Sequence, residues 1–240
     1  MINPLEQFAL KYYYILFFYK YDFSLTNAVL SFILTTFIII ILYFDRLKYV
    51  KLKPDKKQIL SEITLDIVEK CIFDIIGFSS KKFISLVLTL FIFIFINNII
   101  SIIPIFFSCM SHFIVTGTLS LLVFFIVTYV GLINKGMNFF KMFLPPNIPM
   151  FFSPIIILIE IFTYISRPIS QSLRLASNII AGHVVLEVLA VLISTFGYFG
   201  FLPFLLLTVL YCFEIIMSVF QAYIFIIVTC TYLNIALKSH

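Results

Sequence analysis

Between Met142 and Leu237 the chain carries only five formally charged residues, Glu160, Arg167, Arg174, Glu187 and Glu214, and one histidine, His183. All six stand in runs apolar enough to lie in a membrane. An ionisable side chain at mid-helix in a bilayer costs about 2.5–3.5 kcal/mol on insertion scales, and such residues usually mark a pathway or an ion pair. Acids and an imidazole can take up and release protons, whereas an arginine holds its charge. The chemistry these residue types allow is proton relay past a fixed cation.

Spacing sharpens that reading. Glu160, Arg167 and Arg174 are seven apart, so on a helix each successive one drifts by about 20° and rises by about 10.5 Å. They share a stripe, and the step is expected to be too long for neighbours to pair directly. Ser170, Arg174 and Asn178 follow one another at four-residue steps, with Ser177 and Ala181 nearby. Small and polar residues around one arginine let another helix come close. His183 falls about 180° round a straight helix from Arg174, with Glu187 one turn later on its own side. Further along, Glu214 and Gln221 are seven apart with Ser218 between them. Two helices thus offer acids, an imidazole, amides and a fixed cation at different depths and azimuths. That suits a proton route better than a static pair, although structural ion pairs remain the alternative for any single acid.

The elements that must hold these residues follow from composition. The chain has 240 residues, 62% hydrophobic and 11% charged, with a mean hydropathy of +1.16. A soluble domain is about half apolar and about a quarter charged, so a soluble fold, a disordered chain and a nucleic-acid binder are excluded. The net charge of +5 sits largely on short loops beside apolar runs. There is no Gly-rich phosphate loop and no metal-ligand cluster, and no cofactor is expected. The four cysteines form no CxxC pair and read as small apolar fillers.

A hydrocarbon core about 30 Å thick takes about 20 helical residues. Unbroken apolar runs therefore predict a first span over 24–44, a second over 83–103 closed by Pro104, and a third over 112–133. Between the first two, a basic stretch over 45–57 leads into 57–78. There Ile59, Leu60, Ile63, Ile67, Cys71 and Ile75 recur at helical period, opposite Glu62, Asp66, Glu69 and Lys70. This predicts an amphipathic helix on the membrane surface. The last two runs, 153–194 and 202–237, hold 42 and 36 residues, or roughly 63 and 54 Å of helix. Neither fits upright, so a strongly tilted hairpin with a kink at Pro168 is expected. The fold class is an all-α polytopic membrane protein, one membrane domain over 1–240, with five crossings. Lys and Arg in the loops place the N-terminus outside and the C-terminus inside.

The runs SRPISQSLRLASNIIAGH (Ser166–His183), FEIIMSVFQAYIF (Phe213–Phe225) and NPLEQF (Asn3–Phe8) resemble subunit a of the F-type ATP synthase, mitochondrial type. NNIISIIP (Asn97–Pro104), followed by His112, is similar to that family's third-helix signature. The SLRLxxNxxAGH spacing of arginine, asparagine and histidine is the specific part. Ser101 stands where the family commonly has glycine, and Glu187 lies outside the pattern. The resemblance implies a stator subunit, not an enzyme by itself, whose last two helices face a ring of c subunits in the mitochondrial inner membrane. The N-terminus would face the intermembrane space and the C-terminus the matrix. Two half-channels would carry protons to and from a ring carboxylate. Arg174 would be the essential ring-facing arginine, with Asn178 and Gln221 its polar neighbours. His183 and Glu214 would line the inlet half-channel, and Glu160 would lie by the matrix outlet. Implied partners are the c-ring, peripheral-stalk subunits, lipid and protons, with no nucleic acid. The bias towards Phe, Ile, Tyr, Asn and Lys, all with A/T-rich codons, points to an A/T-rich genome such as an organelle's. The N-terminal stretch, with Glu6 and Asp22, is not expected to be a cleaved leader. The rival readings are a small transporter, a respiratory-complex membrane subunit and a purely structural assembly subunit.

Overall fold

A computed structural model describes residues 8–14, 17–18, 21–22, 24–43, 55–103, 106–137, 139, 153–196 and 200–237. Most of the basic stretch over 45–57, the proline-rich segment over 140–152, NPLEQ and Lys238 lie outside the described residues. Six α-helices dominate. Near the N-terminus, β1 (Tyr12–Tyr14) pairs antiparallel with β4 (Leu25–Thr26), and β2 (Phe17–Phe18) with β3 (Tyr21–Asp22). These ladders of two or three residues, rich in Tyr and Phe, fit the β preference of aromatic side chains. They form no layer of their own, and the fold is all-α.

Helix α1 runs over Asn27–Tyr43, 17 residues, or about 26 Å. It is shorter than the span expected over 24–44 because Asn27 ties the chain back at its start. Asn27 Oδ1 accepts from the Lys11 and Ala28 backbone N–H groups, and its Nδ2 donates to the Ala9 carbonyl. Helix α2 covers Lys56–Ile76 and ends at Gly77, whose φ of 82° is a conformation glycine adopts without strain.

The expected apolar stripe of α2 divides: Cys71 is buried against the bundle and the isoleucines before it are exposed. Thr64, Val68, Cys71 and Ile72 are buried, while Ile59, Leu60, Ile63 and Ile67 are exposed. Helix α2 packs on α6 and α3, so these neighbours take the Val68–Ile72 side. The isoleucine stripe is left facing outward beside the acids.

Helix α3 (Ile84–Ile102) stops two residues before Pro104, with Ile103 already extended, as the steric demand of proline requires. Helix α4 (Phe113–Lys135) ends at Gly136. Helix α5 (Ser153–Phe196) is a single helix of 44 residues with Pro168 inside it, and α6 (Phe201–Leu237) has 37. Four helical stretches, over 81–102, 113–135, 153–196 and 201–237, are long and apolar enough to cross a membrane. Helix α1 is apolar but shorter.

Helix α3 is the most enclosed, with Val87, Phe91 and Ile94 buried against α6 and α1. Helices α4 and α5 are joined by a 2.8 Å hydrogen bond between the Thr128 and Tyr164 hydroxyls. Lys135 Nζ donates to the Ile235 carbonyl at 3.0 Å, fastening the end of α4 to the end of α6. Helices α5 and α6 form the hairpin that carries the intramembrane charges. Gln171 Nε2 donates to the Phe225 carbonyl at 3.2 Å and fixes their register.

Candidate functional site

The helical period divides the middle of α5 into two faces. Gln171, Ser172, Leu175, Ala176, Ile179 and His183 are buried, whereas Ser170, Leu173, Arg174, Ser177 and Ala181 are exposed. Asn178 sits on the border between them. Arg174 therefore projects from the bundle among small residues. Among the described residues it forms no ion pair and no hydrogen bond, and Tyr232 of α6 lies within reach of its charge.

The inward face is organised around His183 and Glu214. Continuing the register set by Gln171 and Phe225 brings position 183 level with 214. Gly182 lets the Glu214 carboxyl lie against α5 next to His183. A Cβ placed there would lie 2.5 Å from Glu214 Oε1 and 2.9 Å from its Cδ. A helical glycine costs about 1 kcal/mol relative to alanine, and here it admits the carboxyl group against the α5 backbone. His183 is 6% exposed, and the Phe8 ring meets it edge-on at 5.9 Å.

Several polar atoms nearby are buried without a protein partner among the described residues. They are His183 Nε2, Glu187 Oε2, Glu214 Oε2, Ser218 Oγ and Asn98 Oδ1. An unsatisfied buried polar atom costs about 1–3 kcal/mol. Those of Asn98, Ser218, His183 and Glu214 lie in the seam where α3, α5 and α6 meet, and that of Glu187 lies one turn further along α5. Asn98 Nδ2 donates to the Ser218 carbonyl at 3.4 Å, and Tyr211 Oη donates to the Ile102 carbonyl at 3.1 Å. Gln221, 7% exposed, continues this face of α6 towards the level of Arg174.

Glu160 lies fourteen residues before Arg174, or about 21 Å along the helix, on the opposite side from His183. Its environment corrects the expectation that sevenfold spacing prevents pairing. Arg167 Nη2 is 3.7 Å from Glu160 Oε1. The rise separates the Cα atoms, but a long arginine side chain leans towards the N-terminus and crosses that gap. The Arg167 guanidinium also lies over the Tyr232 ring at 5.1 Å and the Tyr164 ring at 5.8 Å. Arg167 is thus held within the bundle, and Arg174 is not.

The structure brings His183 and Glu214 to one level, with Gln221 two turns deeper. It leaves Arg174 on the other face and Glu160 remote. Gly182, Asn98 and Tyr211 were not singled out from sequence as parts of the site. A glycine inside a helical run, directly before the histidine, was the available signal for the first. Among the described residues, no group of three His, Cys, Asp or Glu is arranged to hold a metal ion.

The family described as ATP synthase A chain matches residues 28–234. The chain belongs to the ATP synthase A chain family. It is accordingly the membrane-embedded, proton-translocating a subunit of Fo, a non-catalytic part of the complex that associates with the c-ring and other ATP synthase subunits. The transporter and respiratory-complex readings are set aside by that match.

Proposed function

We propose that Arg174 is the ring-facing arginine of this a subunit, that His183 and Glu214 form the inlet half-channel, and that Glu160 marks the outlet. The observation that carries this reading is the division of α5: an arginine with no ion pair among the described residues on the outward face, and on the inward face a buried histidine beside Glu214 of α6. Protons enter along the seam and pass from His183 and Glu214 to a carboxylate of the ring. After the rotor turns, they leave beside Glu160. Asn178, on the border between the faces, and Gln221 supply neutral hydrogen-bonding groups between seam and arginine.

A guanidinium remains protonated in a protein, so Arg174 attracts a passing carboxylate without becoming a stepping stone for protons. One charge crossing 100 mV is worth about 2.3 kcal/mol, and a break between the half-channels forces that energy through rotation. The basic loops support an N-terminus in the intermembrane space and a C-terminus in the matrix of a mitochondrial inner membrane, with five crossings counting α1. Peripheral-stalk subunits would hold the stator side, away from the arginine face.

Cysteine cross-linking within the native complex tests the outward face. Cysteines placed at Ser170 or Ser177 should form disulfides with cysteines on the ring's outer helix. A cysteine at Gln171, buried against α6, should not. Ring cross-links from 171 and none from 170 or 177 would overturn the assignment.

A further inference from the structure

Glu187 is the intramembrane acid that neither the arginine face nor the proposed inlet pair accounts for. It stands one turn beyond His183, about 40° round the helix from it, and its Oε2 is buried without a partner among the described residues. The register of Gln171 and Phe225 carries position 187 to the level of 209–210 on α6, next to Tyr211. That level is one turn outside Glu214. Polar groups thus occupy three successive levels of the seam. Asn98 and Ser218 are innermost, Ser101, His183 and Glu214 are in the middle, and Glu187 and Tyr211 are outermost.

We propose that Glu187 is the proton-collecting acid at the outer end of the inlet. It takes up a proton on the outer side and gives it to the His183 imidazole, returning to carboxylate. His183 then passes the proton to the Glu214 carboxylate and returns to its neutral form. The proposal rests on His183 and Glu214 being the inlet pair.

The titratable groups around Glu187 fit a relay better than a structural pair. Its own helix supplies His183, and α6 supplies Tyr211 and Glu214. His112 precedes α4 beside the 3₁₀ turn that packs on α5, and its Nε2 is also buried without a partner among the described residues. Helix α3 supplies only polar and backbone groups at this depth. The N-terminal segment, whose Phe8 rests on His183, carries Lys11. Among the described residues none of these forms an ion pair with Glu187. The neighbouring 3₁₀ turn Cys109–Ser111 packs against α5, and its one titratable group, the Cys109 thiol, is engaged with Ser31 and the Ala28 carbonyl of α1.

The test uses the assembled ATP synthase in vesicles, with proton-driven synthesis followed as a function of pH on the inlet side. Glu187→Gln at normal complex levels should lower synthesis several-fold, with the deficit growing as protons become scarcer. Glu187→Asp should restore most of the rate. Glu187→His should restore it with the pH dependence moved towards the imidazole range. Wild-type rate and pH profile in Glu187→Gln would overturn the proposal. So would Glu187→Asp and Glu187→His variants as slow as Gln at equal complex levels, which is the behaviour of a packing residue. If Glu187→Gln does not accumulate, the Glu187→His profile decides: a shift supports the relay and no shift overturns it. Glu214→Gln is measured alongside. A block there with no effect at Glu187 removes only this proposal, whereas no effect at Glu214 removes the inlet reading itself.

Discussion

Arg174→Lys is expected to abolish proton-driven ATP synthesis although the formal charge is kept. Arg174 is exposed among Ser170, Ser177 and Ala181 and has no ion pair among the described residues. Leaving a cation unpaired in a membrane is expensive, and on the proposed reading the group that satisfies it is a carboxylate of the facing rotor. A guanidinium offers a planar fork that meets a carboxylate with two parallel hydrogen bonds and keeps its proton throughout. A lysine offers a point charge that loses its proton more readily when buried. ATP synthesis in vesicles, at matched amounts of complex, checks the expectation. Synthesis by Arg174→Lys near the wild-type rate would show that charge alone suffices.

The second large effect is expected at Glu214. Glu214→Gln keeps the size and the hydrogen-bonding capacity of the side chain but removes the exchangeable proton. Proton-driven synthesis should fall by about a hundredfold or more, the lower end of what a positioned proton-transfer group contributes, while the complex assembles normally. Gly182→Ala should act in the same direction by another route. The new methyl group would meet the Glu214 carboxyl at 2.5 Å and displace it from the level of His183. Unchanged synthesis in Glu214→Gln, with a normal amount of complex, would make the carboxylate structural.

Much of the framework was legible because membrane helices announce themselves by length. The uninterrupted runs over 153–194 and 202–237 come out as the long helices α5 and α6, and Pro104 dictated the end of α3 through local sterics alone. The two faces of α5 were also legible, since a helical period needs no partner to be read. What escaped depended on which neighbour a residue met. The isoleucine period of α2 could be read from sequence, but that Thr64, Val68 and Ile72 are the side enclosed by the bundle could not. The pairing of Arg167 with Glu160 escaped because axial rise measures backbone, whereas guanidinium reach decides contact. Gly182 has meaning only once α6 lies in register against it. Similarly, α1 begins at Asn27 because of bonds to Ala9 and Lys11, which no periodicity contains.

Passive proton conductance of Arg174→Ala is the most direct measurement of whether this arginine separates the two half-channels. Vesicles carrying equal amounts of assembled complex would be given a pH gradient, and dissipation would be followed without ATP turnover. If Arg174 bars a direct path between the seam at His183 and Glu214 and the outlet beside Glu160, the variant makes no ATP and the gradient collapses faster than in wild type. A variant that synthesises ATP at the wild-type rate and holds its gradient as wild type does would contradict the assignment.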